Sequence, residues 1–171
     1  TRGGESVVTD DEQPHKAVLE RIPALRPAFA EGGTITAANS SSISDGASAL
    51  LLMSEARADE LGLTPLARMQ AHARHSQAPG DFTTAPIGAI RKLLDTTGWR
   101  LPDVDLFEIN EAFAMVTMIA MADLGLDHTK VNVHGGACAQ GHPIGSTGSR
   151  IMVTLMHALA QRRLKRGIAA L

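Results

Sequence analysis

The chain has 171 residues, 44% of them apolar, and a formal net charge of −2, enough for one domain with a real hydrophobic core. Its basic residues are scattered and aromatics reach only 3%, which excludes the charge and base-stacking footprints of a nucleic-acid binder. A single cysteine excludes a disulfide framework or a multi-cysteine zinc site. No apolar run can span a membrane and no signal-peptide pattern is present, so a soluble cytoplasmic protein in a reducing compartment is expected.

In chain order, residues 1–46 read as irregular, with a short helical piece over 16–25 closed by Pro27. "AEGGTITAANSSSISDG" follows, a long loop rich in Gly, Ser, Thr and Asn, expected to be ordered and to line a ligand. Ser44 or Asp45 is placed to cap a helix through Leu61, ended by Gly62, with "ASALLLMS" apolar enough on all sides to be buried between layers. "PLARMQAHA" (65–73) reads as a strand. Pro86 opens a helix to about Thr97 with Ile87, Ile90 and Leu94 on one face. "DVDLFEI" (103–109) is a strand, "EAFAMVTMIAMADL" a mostly buried helix and "KVNV" a short strand. From about Gly145 a helix runs to Arg163, with Ile151, Met152, Leu155, Met156 and Leu159 on one face. "GIAAL" begins another strand. Alternating helices and strands predict an α/β fold with helices covering a sheet. A start in loop and an end in strand are the marks of a piece of something larger.

Two stretches carry chemistry. In "GGACAQGHPIGSTGSR" (135–150) the glycines and Pro143 make a tightly bent loop that presents His142 and then opens a helix. Something must come close to that backbone. At the positive end of a helix dipole an imidazole is held neutral, able to take a proton from a nucleophile or donate to an oxyanion; the alternative is a structural histidine in a glycine turn. A phosphate cradle is a weak reading, since the Walker lysine and GxGxxG spacing are absent. In "EINEAFAM" (108–115), Asn110 and Glu111 stand where a strand gives way to a helix, a usual place for active-site groups in open α/β sheets. Asn110 reads either as a helix cap or as an amide holding a water or carbonyl oxygen.

"NEAFA" and "VNVHGGACAQGHPIGSTGSRI", preceded by "RPAFAEGGTITAANSSSISDGASALLLMSE", resemble the thiolase family of acyl-CoA acetyltransferases. The resemblance runs over nearly the whole chain in the right order. It implies the layered αβαβα thiolase fold, with residues 1–43 as the end of the CoA-covering loop region and 44–171 as the C-terminal domain, cut before its last strands. It implies acyl transfer between acyl-CoA and a cysteine, making or breaking a 3-ketoacyl-CoA, with coenzyme A as substrate and no tightly bound cofactor or metal. His142 matches the histidine that activates the cysteine and binds the thioester oxygen. Asn110 matches the asparagine that holds a water beside it. Ser41 matches a serine on the pantetheine arm, and Ala28, Phe29, Ala37, Ala112 and Phe113 match apolar contacts along it. The expected partners are acyl-CoA and an N-terminal thiolase half bearing the nucleophilic cysteine, in a homodimer or homotetramer, with no nucleic acid or membrane.

Departures from the family pattern are Ala38 and Ser42 in place of loop glycines, His134 in place of an asparagine, and His15 near an arginine position. The nucleophilic cysteine and a second one in Cys-x-Gly-Gly fall outside these residues. Cys138 reads as a small buried residue, with a nucleophile as the alternative. His72, His75, His128 and His157 have no metal-ligand spacing and read as surface or helix-face residues. Asp103, Asp105 and Glu108 read as solvated or capping carboxylates. The rival functions are a β-ketoacyl synthase of the same fold and a non-catalytic acyl-CoA or lipid-binding module.

Overall fold

The computed structural model describes residues 7–171, so the first six positions of the region expected to be irregular lie outside the described residues. The chain forms two compact units, the first ending at Ala38 and the second spanning Asn39–Leu171. In the first, the Asp11 carboxylate accepts from the Gln13 N–H at 3.0 Å and caps helix α1, Glu12–Lys16. The helical piece expected over 16–25 is instead a 3-10 stretch, Leu19–Ala24, with Pro23 inside it. Pro23 has no N–H to give and its ring crowds the preceding turn, which disfavours α geometry over this stretch. After Pro27 the chain doubles back, the Ala28 N–H donating to the Ile35 carbonyl at 2.8 Å.

In the second unit the expected helix to Leu61 shrinks to α2, Glu55–Glu60, capped by the Ser54 hydroxyl, which accepts from the Arg57 N–H at 3.2 Å. Residues 46–54 belong to no helix or strand, and Leu51 is 83% exposed rather than buried between layers. A short run that is apolar all round suits a strand buried on both faces as well as a buried helix, and periodicity alone cannot separate the two. Residues 65–73 likewise join no sheet. A strand needs a ladder partner, and among the described residues none lies beside this segment.

Helix α3, Ala85–Thr97, has Pro86 in its first turn and buries Ile87 and Ile90, as its periodicity predicts. Strand β1, Leu106–Ile109, pairs in parallel with β2, Gly167–Ala170. Parallel strands require a long crossover. It contains α4 (Ala114–Leu124), α5 (Ala137–Gln140) and α6 (Thr147–Arg162).

Alternation along the strands sorts the core into two faces. Phe107, Ile109, Ile168 and Ala170 pack with Ile87 and Ile90 of α3 and Val116, Ala120 and Leu124 of α4. Leu106 packs with Leu155 and Ala158 of α6, flanked by Leu159 and Ala169. The strands are thus covered on both sides, as the α/β reading requires. Helix α4 is less buried than its composition suggests, since Met118 stays exposed.

"KVNV" is not a strand. Val131 makes only an isolated bridge to Phe107. Asn132 then takes φ 47°, and its side-chain amide replaces the ladder. Its Oδ1 accepts from the Ile109 N–H at 2.8 Å and its Nδ2 donates to the Ile109 carbonyl at 2.9 Å. Asparagine tolerates the left-handed region better than the valines beside it.

Candidate active site

Asn110 follows β1 directly and extends it by one bond, its N–H donating to the Ala170 carbonyl at 2.8 Å. The residue is buried, and its Oδ1 has no hydrogen-bond partner. It is not a side-chain cap: α4 starts four residues later, after Phe113, which offers no capping side chain. The corner that follows is held by segment 40–43. Ser40 forms an antiparallel bridge with Phe113, and the Ala112 carbonyl accepts from both the N–H and the hydroxyl of Ser41, each at 3.0 Å. Phe113 also meets Phe82 edge-on, with ring centroids 6.1 Å apart.

The same segment continues to the histidine loop. The Ser42 carbonyl accepts from the His142 N–H at 2.8 Å, and Ile43 bridges His142 in parallel. What comes close to the glycine-rich backbone is therefore the chain itself. A Cβ on Gly141, which has φ 87°, would stand 2.2 Å from the Ser44 hydroxyl oxygen. The half-buried imidazole reaches Thr147 in the first turn of α6, with Nδ1 and the Thr147 hydroxyl 2.6 Å apart. Segment 40–43 thus joins three of the expected site residues, Ala112, Phe113 and His142, through Ser41 and its neighbours. Ala28, Phe29 and Ala37 lie in the first unit.

Glu111 points into the fold. One carboxylate oxygen accepts the Cys138 N–H at 3.0 Å, where α5 begins, and a Cβ on Gly136 would stand 2.3 Å from that oxygen. Cys138 is half-buried on α5, its thiol facing the Asn39 and Glu111 carbonyls at 3.6 and 3.8 Å. Burial first, then the Glu111 charge, pushes the thiol up to about 12. A thiol held in that form is a poor nucleophile, which favours the packing role over the alternative.

Among the strand carboxylates, Asp103 and Asp105 do cap. Asp103 holds the Arg100 guanidinium and backbone N–H, which bring its carboxyl down to about 2. Asp105 accepts from the Lys165 and Arg166 N–H groups, each at 2.9 Å, at the turn into β2. Glu108 is neither solvated nor a cap. It is 2% exposed, and burial pushes its carboxyl up to about 7 against the lowering effect of the Arg150 charge. Its Oε1 and the Arg150 Nε are both buried with no hydrogen-bond partner.

Sequence reading misassigned Glu108 and missed Thr147, Asn132 and Phe82. Only Thr147 carried a signal, a hydroxyl five residues after a loop histidine. His75 is half-buried rather than on the surface, against α3 at Gly88. Among the described residues no three His, Cys, Asp or Glu side chains gather as metal ligands, and no helix is long and apolar enough to cross a membrane.

The family model described as thiolase, C-terminal domain, matches residues 63–171, and that described as thiolase, N-terminal domain, matches residues 1–56. A probable acetyl-CoA acetyltransferase of Dictyostelium discoideum is 53% identical over 99% of this chain and 41% of its own length. The acetyl-CoA acetyltransferase of Paracoccus denitrificans is 47% identical over 100% of this chain and 44% of its own length. The crystal structure of the Bacillus anthracis acetyl-CoA acetyltransferase superposes with a TM-score of 0.85 at 45% identity, over 90% of this chain and 39% of that one. Acat5 thiolase from Ascaris suum, solved in complex with coenzyme A, superposes with a TM-score of 0.81 at 40% identity, over 95% of this chain and 42% of that one. The chain therefore spans less than half the length of these relatives, and its fold is thiolase-like, as the resemblance implied. With the C-terminal family model covering more than half of its residues, the chain belongs to the thiolase family.

Proposed function

We propose that these residues supply the histidine side of an acetyl-CoA C-acetyltransferase-type thiolase, in which 1–43 end the CoA-covering loop region and 44–171 belong to the C-terminal domain. His142 is the base. Its free ring nitrogen takes the proton of a cysteine thiol that belongs to the rest of the enzyme. The thiolate attacks the thioester carbonyl of an acyl-CoA, and the resulting imidazolium donates to the oxyanion. Collapse expels the CoA thiolate, which regains a proton, and leaves the acyl group on the cysteine. In the synthetic direction a second acetyl-CoA, having lost an α-proton, attacks that acyl group and forms a 3-ketoacyl-CoA.

Asn110 supports the oxyanion through a water, a role suited to a buried amide oxygen without a protein partner. Ser41 has committed its hydroxyl proton to the Ala112 carbonyl, so its lone pairs are left to accept an amide N–H of the pantetheine arm. Ala28, Phe29, Ala37, Ala112 and Phe113 supply small and apolar surface for that arm. The observation that carries the reading is the tether through segment 40–43, which fastens His142 and the corner after Asn110 to one strip of chain.

The test is a chimera in which residues 1–171 replace the matching segment of an acetyl-CoA acetyltransferase relative. Thiolysis of acetoacetyl-CoA by the chimera, and its loss by several orders of magnitude in His142→Ala with the fold retained, is the expected result. Full turnover by His142→Ala refutes it. Acyl-CoA binding with no turnover by the chimera itself favours a non-catalytic binding module.

A further inference from the structure

An imidazole works as a base only through the nitrogen that lacks a proton, so the other nitrogen must be kept protonated. The structure shows what meets that other nitrogen. Nδ1 of His142 lies 2.6 Å from the Thr147 hydroxyl oxygen, and the same oxygen lies 3.0 Å from the Pro143 carbonyl one turn back. That carbonyl also accepts the N–H groups of Ser146 and Thr147, at 2.8 and 2.9 Å, so it is a fixed point at the start of α6. Thr147 is 0% exposed, which leaves no solvent to substitute for either partner.

A hydroxyl has one proton and two acceptor lone pairs. The β-branched side chain is stiff, and a helical threonine commonly turns its hydroxyl to the carbonyl four residues earlier. With the hydroxyl proton on the Pro143 carbonyl, Thr147 can only accept from Nδ1. We propose that Thr147 is a positioning residue that holds His142 in the Nδ1–H tautomer and so leaves the lone pair on Nε2. This rests on the reading of His142 as the base.

The arrangement serves both halves of the cycle. When Nε2 takes a proton the ring becomes an imidazolium with two donors, and Nδ1–H already has its acceptor, so nothing need turn. The opposite arrangement, with Thr147 donating to Nδ1, places the ring proton on Nε2 and removes the base. Removing the hydroxyl acts in the same direction. A valine at this fully buried position offers Nδ1–H no acceptor, and the ring relieves that cost by moving its proton to Nε2.

The test uses the chimera described above in four forms: parent, Thr147→Val, Thr147→Ser and His142→Ala. Magic-angle-spinning 15N NMR of histidine-labelled protein, with the His142 signals assigned from the alanine variant, reads which ring nitrogen carries the proton. The expected result is Nδ1–H in parent and serine variant and Nε2–H in the valine variant. kcat for acetoacetyl-CoA thiolysis should fall roughly 100-fold in Thr147→Val with KM little changed, the range of a lost general base, and Thr147→Ser should restore most of it. A parent ring protonated on Nε2 overturns the proposal. So does parental kcat in Thr147→Val while His142→Ala is inactive. Parental turnover in His142→Ala is a different failure, which removes the base reading itself. If the valine variant does not fold, the tautomer in the parent and in the serine variant still decides.

Discussion

Replacing Glu108 by glutamine should stabilise the protein, and only where the carboxylate would be charged. Glu108 is 2% exposed on the strand face that α6 covers, and its carboxyl is pushed by burial from an ordinary 4.5 up to about 7. Between those values the native state keeps a proton that the unfolded chain has released, so the stability of the parent falls as pH rises and levels off above about pH 7. At about 1.4 kcal/mol per unit the ceiling of this penalty is about 3 kcal/mol. Glutamine keeps the shape and removes the charge, but its amide inherits the missing hydrogen-bond partner and loses the attraction to Arg150. The net gain expected at about pH 8 is therefore about 1–2 kcal/mol, shrinking toward zero near pH 4.5. Urea denaturation of the parent and Glu108→Gln chimeras, followed by intrinsic fluorescence across that pH range, measures it. A difference that does not change with pH would refute the account, because it would show that Glu108 is not ionised in a dry site.

The other expectations are more local. Asn110→Ala should slow acetoacetyl-CoA thiolysis less than His142→Ala, because a second water can partly replace the amide; equal losses in steady-state assays would place Asn110 in direct contact with the reacting atoms. Gly141→Ala should destabilise the chain by about 2 kcal/mol or more, since it adds strain at φ 87° to a clash with the Ser44 hydroxyl, and thermal denaturation reads the loss. Cys138→Ala should cost about 1 kcal/mol and leave turnover intact. The Cys138 thiol should also resist iodoacetamide at pH 8 until denaturant is added, as a group pushed up to about 12 must; a stable acetyl adduct on Cys138 after mixing with acetyl-CoA would overturn that expectation.

What sequence reading captured is what local physics decides. Helix α3 announced itself by a proline at its start and apolar residues at helical spacing, and β1 by a compact run ahead of a strongly apolar stretch. The bent presentation of His142 followed from glycines and Pro143. The failures share another cause. Residues 46–54 and 65–73 are apolar or β-prone, but whether such a run becomes helix, strand or neither depends on what it packs against, which lies far along the chain. "KVNV" failed because one asparagine can take over a strand's hydrogen bonds with its side chain. Glu108 failed because alternation names the face a residue points to, not whether that face is wet.

The candidate site shows the same division between local and distant causes. Residue types at 110 and 142 suggested chemistry, yet neither residue type nor spacing says what keeps two such residues in one place. Segment 40–43 bonds by backbone pairing to Ala112, two residues after Asn110, and to His142, each more than sixty positions away. Backbone pairing is indifferent to side chains, which is why Ser42 can stand where thiolases usually have glycine and still receive the His142 N–H. The demand for small residues falls instead on the opposite wall, where Gly141 leaves room for the Ser44 hydroxyl. Two parts of the site are thus fixed by contacts that place their constraint on residues other than the reactive ones, and a substitution at position 141 should disturb the His142 geometry without touching its ring.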